Sequence, residues 1–216
     1  IIDLNEEANQ PMIFDDILLV FNGEIYNYKE LIHVEQLQCK TQSDSEVLIR
    51  LYQKYEFDFL NKLNGMFSFC LYDMKKDRYF CARDRYGKKP FFYYFKDNKF
   101  IFSSSIKSIL NLLDYKPNLN KVAVSKYMQY FVSYGEDTFY QNIFKLESSS
   151  YMIYEPLKAQ ELLKKKYYKI NTYKAIKDEK QALNDIEEFL FKSVELRLNS
   201  DVEVASLLSG GIDSSL

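Results

Sequence analysis

Gly65-Met66-Phe67-Ser68-Phe69-Cys70-Leu71-Tyr72-Asp73, then Met74-Lys75-Lys76-Asp77, then Arg78-Tyr79-Phe80-Cys81-Ala82-Arg83: this stretch decides the fold class. Its first nine residues alternate apolar with small or polar side chains, the period of a strand with two different faces. The next four read as a turn and the last six as a returning strand. A connection that short joins antiparallel neighbours, because a parallel crossover needs a dozen or more residues. Upstream, Ile17 to Phe21 is an apolar strand ending at Asn22-Gly23, a strong hairpin signal. Downstream, Phe91 to Phe95, the turn Lys96 to Asn98, and Lys99 to Ser103 predict a second hairpin. Residues 12 to 104 thus read as an antiparallel meander.

One helix interrupts it. Ser43-Asp44-Ser45-Glu46 resembles a capping box, and Val47, Leu48, Leu51, Tyr52 and Tyr55 repeat at helical spacing, so a helix is expected over Asp44 to Tyr55. Shorter helices are expected at Ser105 to Leu113, stopped before Pro117, and at Lys121 to Tyr130. Residues 158 to 180 are rich in Lys without a strong period. They read as a linker with some helical character, and the run Lys164 to Lys169, continuing to Lys174, as solvated rather than as a nucleic-acid patch. From Gln181 to Leu198 the pattern is helical, with Ile186, Phe189, Leu190 and Val194 on one face.

The chain then runs through a strand-like apolar segment, Val202 to Leu208, into Ser209-Gly210-Gly211-Ile212-Asp213-Ser214-Ser215-Leu216. Two glycines let a backbone turn sharply and approach an anion. A strand, a Gly/Ser loop and a helix start together form a phosphate site. A Walker A loop is excluded, since it needs Gly-Lys-Ser/Thr.

Composition narrows the field. The 216 residues are 47% hydrophobic and 28% charged, which suits a packed core. A net charge of −2 gives no reason to expect nucleic acid or an anionic membrane as partner. Three scattered cysteines, Cys39, Cys70 and Cys81, form no Cys-x-x-Cys pair and fit a reduced, cytoplasmic setting without disulfides. The apolar runs are too short to span a bilayer. The acidic start, Ile1-Ile2-Asp3-Leu4-Asn5-Glu6-Glu7, is not a signal peptide. It reads as an internal cut, so a piece of a longer chain is expected.

Six blocks appear in order: Ile1-Ile2-Asp3-Leu4 with Gln10-Pro11-Met12; Asn22-Gly23-Glu24-Ile25-Tyr26-Asn27; Ser43-Asp44-Ser45-Glu46-Val47; Leu63-Asn64-Gly65-Met66-Phe67-Ser68-Phe69; Ala82-Arg83-Asp84-Arg85-Tyr86-Gly87-Lys88-Lys89-Pro90; and Ser209 to Ser215. In this combination the chain resembles the glutamine-hydrolysing asparagine synthetase family. The resemblance implies an α+β fold. An antiparallel N-terminal-nucleophile αββα sandwich, lacking its first strands, would cover residues 1–155. A linker, 156–180, and the start of an α/β ATP-pyrophosphatase domain, 181–216, would follow.

It also implies a chemistry. Glutamine is hydrolysed by an N-terminal cysteine whose own α-amino group is the base. Ammonia passes to the second domain, where ATP with Mg²⁺ has adenylated a carboxylate, usually that of aspartate. Asn22 and Gly23 match the oxyanion hole, a side-chain amide and a backbone N–H placed where negative charge develops. Outside the motif the same dipeptide is a plain hairpin turn. Glu24 and Asp44 match positions at the amino-acid end of glutamine, Asp44 taking the α-ammonium. Asp44 is equally a helix-start acid that suits the dipole. Ser209, Gly210, Gly211, Asp213 and Ser214 match the pyrophosphate loop. Arg83, Asp84 and Arg85 read as structural, the arginines pairing with Asp84 or other local acids. His33 matches no motif, and the cysteines read as small buried hydrophobes. A homodimer of the longer protein fits the family.

The chain departs from the pattern in several places. The family's nucleophilic cysteine is absent, so these 216 residues are expected to hydrolyse no glutamine. Ser105 stands where the family usually has Glu, and Leu146-Glu147-Ser148-Ser149-Ser150 where it usually has a Pro-Gly turn. Two alternatives follow: amidation of another carboxylate, such as that of a surface-polysaccharide sugar, or a binding module that has lost its nucleophile.

Overall fold

A computed structural model describes residues 2–158, 162–171 and 178–215 of the chain. The elements run β1 (Met12–Phe14), β2 (Ile17–Ile25), α1 (Tyr28–Val34), α2 (Asp44–Tyr55), β3 (Gly65–Asp73), β4 (Arg78–Arg83), β5 (Phe92–Lys96), β6 (Lys99–Ser103), α3 (Ile106–Asn111), α4 (Lys121–Tyr130), β7 (Ile143–Lys145), β8 (Ser150–Tyr154), β9 (Leu163–Lys166), α5 (Glu179–Arg197) and α6 (Ile212–Ser215). Two antiparallel sheets form, one ordered β1-β2-β3-β4-β8-β9 and one ordered β6-β5-β7. The expected meander is therefore divided. Its second hairpin leaves the large sheet and pairs through β5 with β7.

The alternation in β2, β3 and β4 builds the layers. Leu19, Phe21, Phe67, Phe69, Leu71 and Phe80 point to one face and are buried with Val47, Leu48 and Leu51 of α2. Cys70 and Cys81 point to the other face, against Phe91 and Tyr93 of the small sheet. The small sheet's far side is covered by Ile109 of α3, packed against Tyr94 and Ile143. Helix, sheet, sheet, helix is the αββα order, with one core on each side of the large sheet.

Three expectations need correction. β2 does not stop at Asn22-Gly23 but continues to Ile25, paired throughout with β3, Ile25 opposite Gly65. The turn propensity of Asn-Gly gives way to this ladder.

Residues 163–166, expected within the linker, form edge strand β9 on β8. All four are exposed, and lysines on an exposed edge discourage further strand pairing. The lysines also have partners: Lys164 binds Glu136, and Lys166 Nζ lies 3.4 Å from Glu147. The rest of the supposed linker includes 159–161 and 172–177, which lie outside the described residues.

Val202 to Leu208 forms no strand, and Leu207 is 94% exposed. Among the described residues no strand lies beside it to satisfy its backbone groups. Elsewhere the helices at Asp44–Tyr55 and Lys121–Tyr130 form as expected, and α5 starts two residues before Gln181. Among the described residues no helix is long and apolar enough to cross a membrane.

Candidate functional site

The last third of β2 carries Asn22, Gly23 and Glu24, opposite Ser68, Phe67 and Met66 of β3. Leu19, Phe21 and Ile25 face the helices, so Asn22 and Glu24 share the opposite face, toward the small sheet. There Ser68 Oγ donates to Pro90 O at 3.0 Å. The Asn22 carboxamide is half-buried and hydrogen-bonds to no described residue, which leaves its donors free for a ligand.

Gly23 is fixed by two constraints. Its φ is +154°, and a Cβ there would lie 2.1 Å from Met66 O and 2.7 Å from Phe67 Cα. Only glycine fits so close a strand approach.

Asp44 joins this end of β2 from another element. It is the first residue of α2, behind the N-cap Ser43, whose Oγ accepts from Ser45 N at 3.2 Å. Ile25 N–H donates to Asp44 Oδ2 at 2.9 Å. Burial first, and the charge of nearby Glu24 with it, outweigh hydrogen bonds from Ile25 and Ser45 and push the Asp44 carboxyl up to about 6. Burial likewise raises Glu24, against the charges of Lys89 and Arg197 among others. Two neighbouring carboxyls, each disfavoured as an anion, form a site that a cation stabilises.

The predicted capping box forms only in part. Glu46 is fully buried and does not reach back to Ser43. Instead it accepts from Lys40 N, Thr41 N and Thr41 Oγ at 2.7–3.0 Å and pairs with Arg50 at 2.8 Å. This clamps residues 40–43 ahead of Asp44. Asp3 supports the same loop, its Oδ2 accepting from Gln42 N at 2.9 Å. Neither role was legible locally: each carboxylate binds amides distant in sequence or outside the helix it begins.

Arg83 and Asp84 are structural, as expected, but by a different route. Arg83 donates to three carbonyls, Lys89 O at 2.6 Å, Leu146 O at 2.7 Å and Gly87 O at 2.6 Å. Asp84 accepts from Tyr86, Lys88 and Lys89 N–H at 3.0 Å and from Phe67 N–H at 3.2 Å. Arg85 donates to Asn61 O at 2.8 Å. The partners are backbone groups, not acids, and they tie residues 83–90 to the strand that faces Gly23.

The serine loop is built differently. Ser209 Oγ and Ser214 Oγ lie 2.8 Å apart, Ser209 N–H donates to Ser214 Oγ at 3.2 Å, and Ser214 Oγ donates to Gly211 O at 3.1 Å. Gly210 takes φ +76°, a left-handed conformation suited to glycine. Asp213 is exposed in the first turn of α6. The structure therefore gathers Asn22, Gly23, Glu24 and Asp44 at one end of β2, and Ser209 to Ser214 in a second loop. The three cysteines are free, Cys70 and Cys81 buried and Cys39 partly so. His33 lies in α1, outside both groups.

Comparison with known proteins follows the same division. Residues 1–168 match the family model of the glutamine amidotransferase domain, and residues 185–216 match that of asparagine synthase. The chain is 40% identical over its whole length to a putative glutamine-hydrolysing asparagine synthetase 2 of Methanocaldococcus jannaschii, covering 45% of that protein. It is 33% identical over its whole length to glutamine-hydrolysing asparagine synthetase 1 of Bacillus subtilis, covering 34% of it. The chain thus spans less than half the length of these relatives. Among solved structures, glutamine phosphoribosylpyrophosphate amidotransferase from B. subtilis superposes on 77% of the chain and 33% of its own, with a TM-score of 0.52 at 16% identity. That likeness is one of fold: the two proteins share the layered sandwich.

Proposed function

This chain belongs to the glutamine-hydrolysing asparagine synthetase family, and from that premise we propose that its protein takes ammonia from glutamine at the end of β2 and uses it to amidate an ATP-activated carboxylate. The observation that supports this most is the convergence of Glu24 and Asp44, two carboxyls raised by burial, beside the unpartnered Asn22 amide. An amino acid with a terminal amide matches that arrangement at both ends.

The α-ammonium pairs with Asp44 and Glu24, a charge-assisted contact that restores both to their anionic forms. The side-chain carbonyl oxygen lies between the Asn22 amide and the Gly23 N–H, which hold the charge that grows as the carbon becomes tetrahedral. The attacking group in the family is an N-terminal cysteine. Cys39, Cys70 and Cys81 are internal and lack an adjacent α-amino group, and burial pushes the Cys39 thiol up to about 11. None of the three takes that role.

At the second loop the donor types suit an inorganic diphosphate: the hydroxyls of Ser209 and Ser214 and the backbone N–H groups around Gly210 and Gly211. Mg²⁺ binds through one or two carboxylates together with substrate phosphates. Asp213 is the carboxylate within the loop that would share it. The metal's contribution is to neutralise charge on the leaving group.

Aspartate is the proposed acceptor. The reading is tested by supplying the full-length protein with aspartate, glutamine and ATP. Asparagine and AMP are expected in equal amounts, with glutamate released. Glutamate release without asparagine would reject aspartate as acceptor. Amidation of a different carboxylate then becomes the reading, one favoured by the match to a relative named amidase chry2 from Gibberella zeae, 32% identical over this whole chain.

A further inference from the structure

The C-terminal segment touches the amidotransferase sandwich at a telling place. α5 ends at Arg197, and the Arg197 guanidinium lies over the Tyr26 ring, 4.8 Å from its centroid. Tyr26 immediately follows β2 and is 5% exposed, whereas Arg197 itself stays exposed. Four residues further on, Asp201 makes a second tie, its Oδ2 accepting from Asp3 N–H at 2.8 Å. Asp3 in turn holds Gln42, next to the Ser43-Asp44 helix start, its Oδ2 accepting from Gln42 N–H at 2.9 Å. Two links thus run from the segment matched as asparagine synthase to the two strands of chain that carry Glu24 and Asp44. Elsewhere α5 keeps its apolar residues exposed, among them Leu183, Phe189 and Val194. The docking is concentrated at its last turn.

We propose that Arg197 is a positioning residue for the glutamine site: by stacking on Tyr26 it fixes the end of β2 that bears Asn22, Gly23 and Glu24, so that a residue of the synthetase-type segment sets how glutamine is held. This rests on the functional reading above. A cation over an aromatic face is attracted by the ring quadrupole, and Arg adds planar stacking that Lys lacks. Freeing the ring removes the cover from Tyr26 and loosens the residues just before it. Arg197 also contributes positive charge near Glu24. The consequence is coupling without a transmitted signal: displacing the last turn of α5 weakens the glutamine site.

The test uses the full-length protein with Arg197→Met, Arg197→Lys, Tyr26→Leu and the double variant Arg197→Met with Tyr26→Leu. Three readouts are taken: KM and kcat for glutamine, the rate with ammonia in place of glutamine, and amide exchange at residues 24–28. Loss of an exposed cation–π contact corresponds to about a fivefold rise in KM for Arg197→Met. The expected pattern adds faster exchange at residues 24–28, an unchanged ammonia-dependent rate and partial rescue by Arg197→Lys. The double variant should be no worse in KM than the worse single variant, since both changes remove one contact. Unchanged KM and exchange in Arg197→Met, or an equal fall in the ammonia-dependent rate, would overturn the role of Arg197. Absence of glutaminase activity in the unsubstituted protein would instead overturn the functional reading and, with it, the substrate-side role.

Discussion

The end of β2 and the loop at Ser209 to Ser214, each proposed above to hold a charged ligand, are held in opposite ways. Asn22 to Glu24 sit inside a paired ladder, with Asp44 pinned to the next residue by Ile25 N–H and the facing strand tied down by Asp84. The serine loop is exposed, and its hydrogen bonds run within the loop itself. The first site is preorganised by the core around it. The second has local geometry only. Preorganisation carries a cost that shows in the electrostatics: Asp44 is buried near Glu24, and its carboxyl is raised to about 6.

Four substitutions would break or sharpen this contrast. The largest effect is expected at Gly23→Ala. The new Cβ would fall 2.1 Å from the Met66 carbonyl oxygen, an overlap that only separation of β2 and β3 relieves, costing about 4 kcal/mol or more. Urea unfolding measures it; a loss below about 1 kcal/mol would mean that the two strands are not locked together.

Next comes Asp84→Ala, which leaves four backbone N–H groups without their acceptor. A loss of about 3 kcal/mol is expected. Stability equal to the parent would show that the Asp84 carboxylate is not what holds the 83–90 loop.

Asp44→Asn works in the other direction. The folded-state value of about 6 lies above the ordinary 3.8, so the native state binds the proton more tightly than the unfolded chain. The associated stability is present below pH 4 and is lost as pH rises from about 4 to 6. At neutral pH the ionised Asp44 therefore destabilises the fold by an amount on the order of 2–3 kcal/mol. The Asn side chain keeps an acceptor for Ile25 N–H without the charge. The variant should be about 1–2 kcal/mol more stable at pH 7 and lose the fall between pH 4 and 6, while binding glutamine poorly. Unfolding curves at the two pH values settle this, and a less stable variant at pH 7 would refute it.

Ser209→Ala should change stability by less than about 0.5 kcal/mol, because exposed groups away from the core rarely matter more. A larger loss would place the loop in the folded unit after all.

The helix Asp44–Tyr55 and the strands Gly65–Asp73 and Lys99–Ser103 were readable to the residue, because periodicity and boundary residues act over a few neighbours. Asn22-Gly23 was not. As a dipeptide it favours a turn, and only the partner strand at Phe67 and Ser68 makes it continue. Lys164 to Lys166 carries no strand period, and its place on the sheet edge comes from β8. Val202 to Leu208 shows the converse: a strand-like sequence forms no strand and stays exposed where no strand lies beside it among the described residues.

From its residues alone this chain declared its family, its antiparallel sandwich and the side chains that match an amide-handling site, since motif order and apolar spacing are written locally. Folding decided that Asp44 meets Ile25, that Asp84 meets Phe67 and that Arg197 covers Tyr26. Those contacts join segments far apart in sequence, and their energies exist only once the core has brought those segments together.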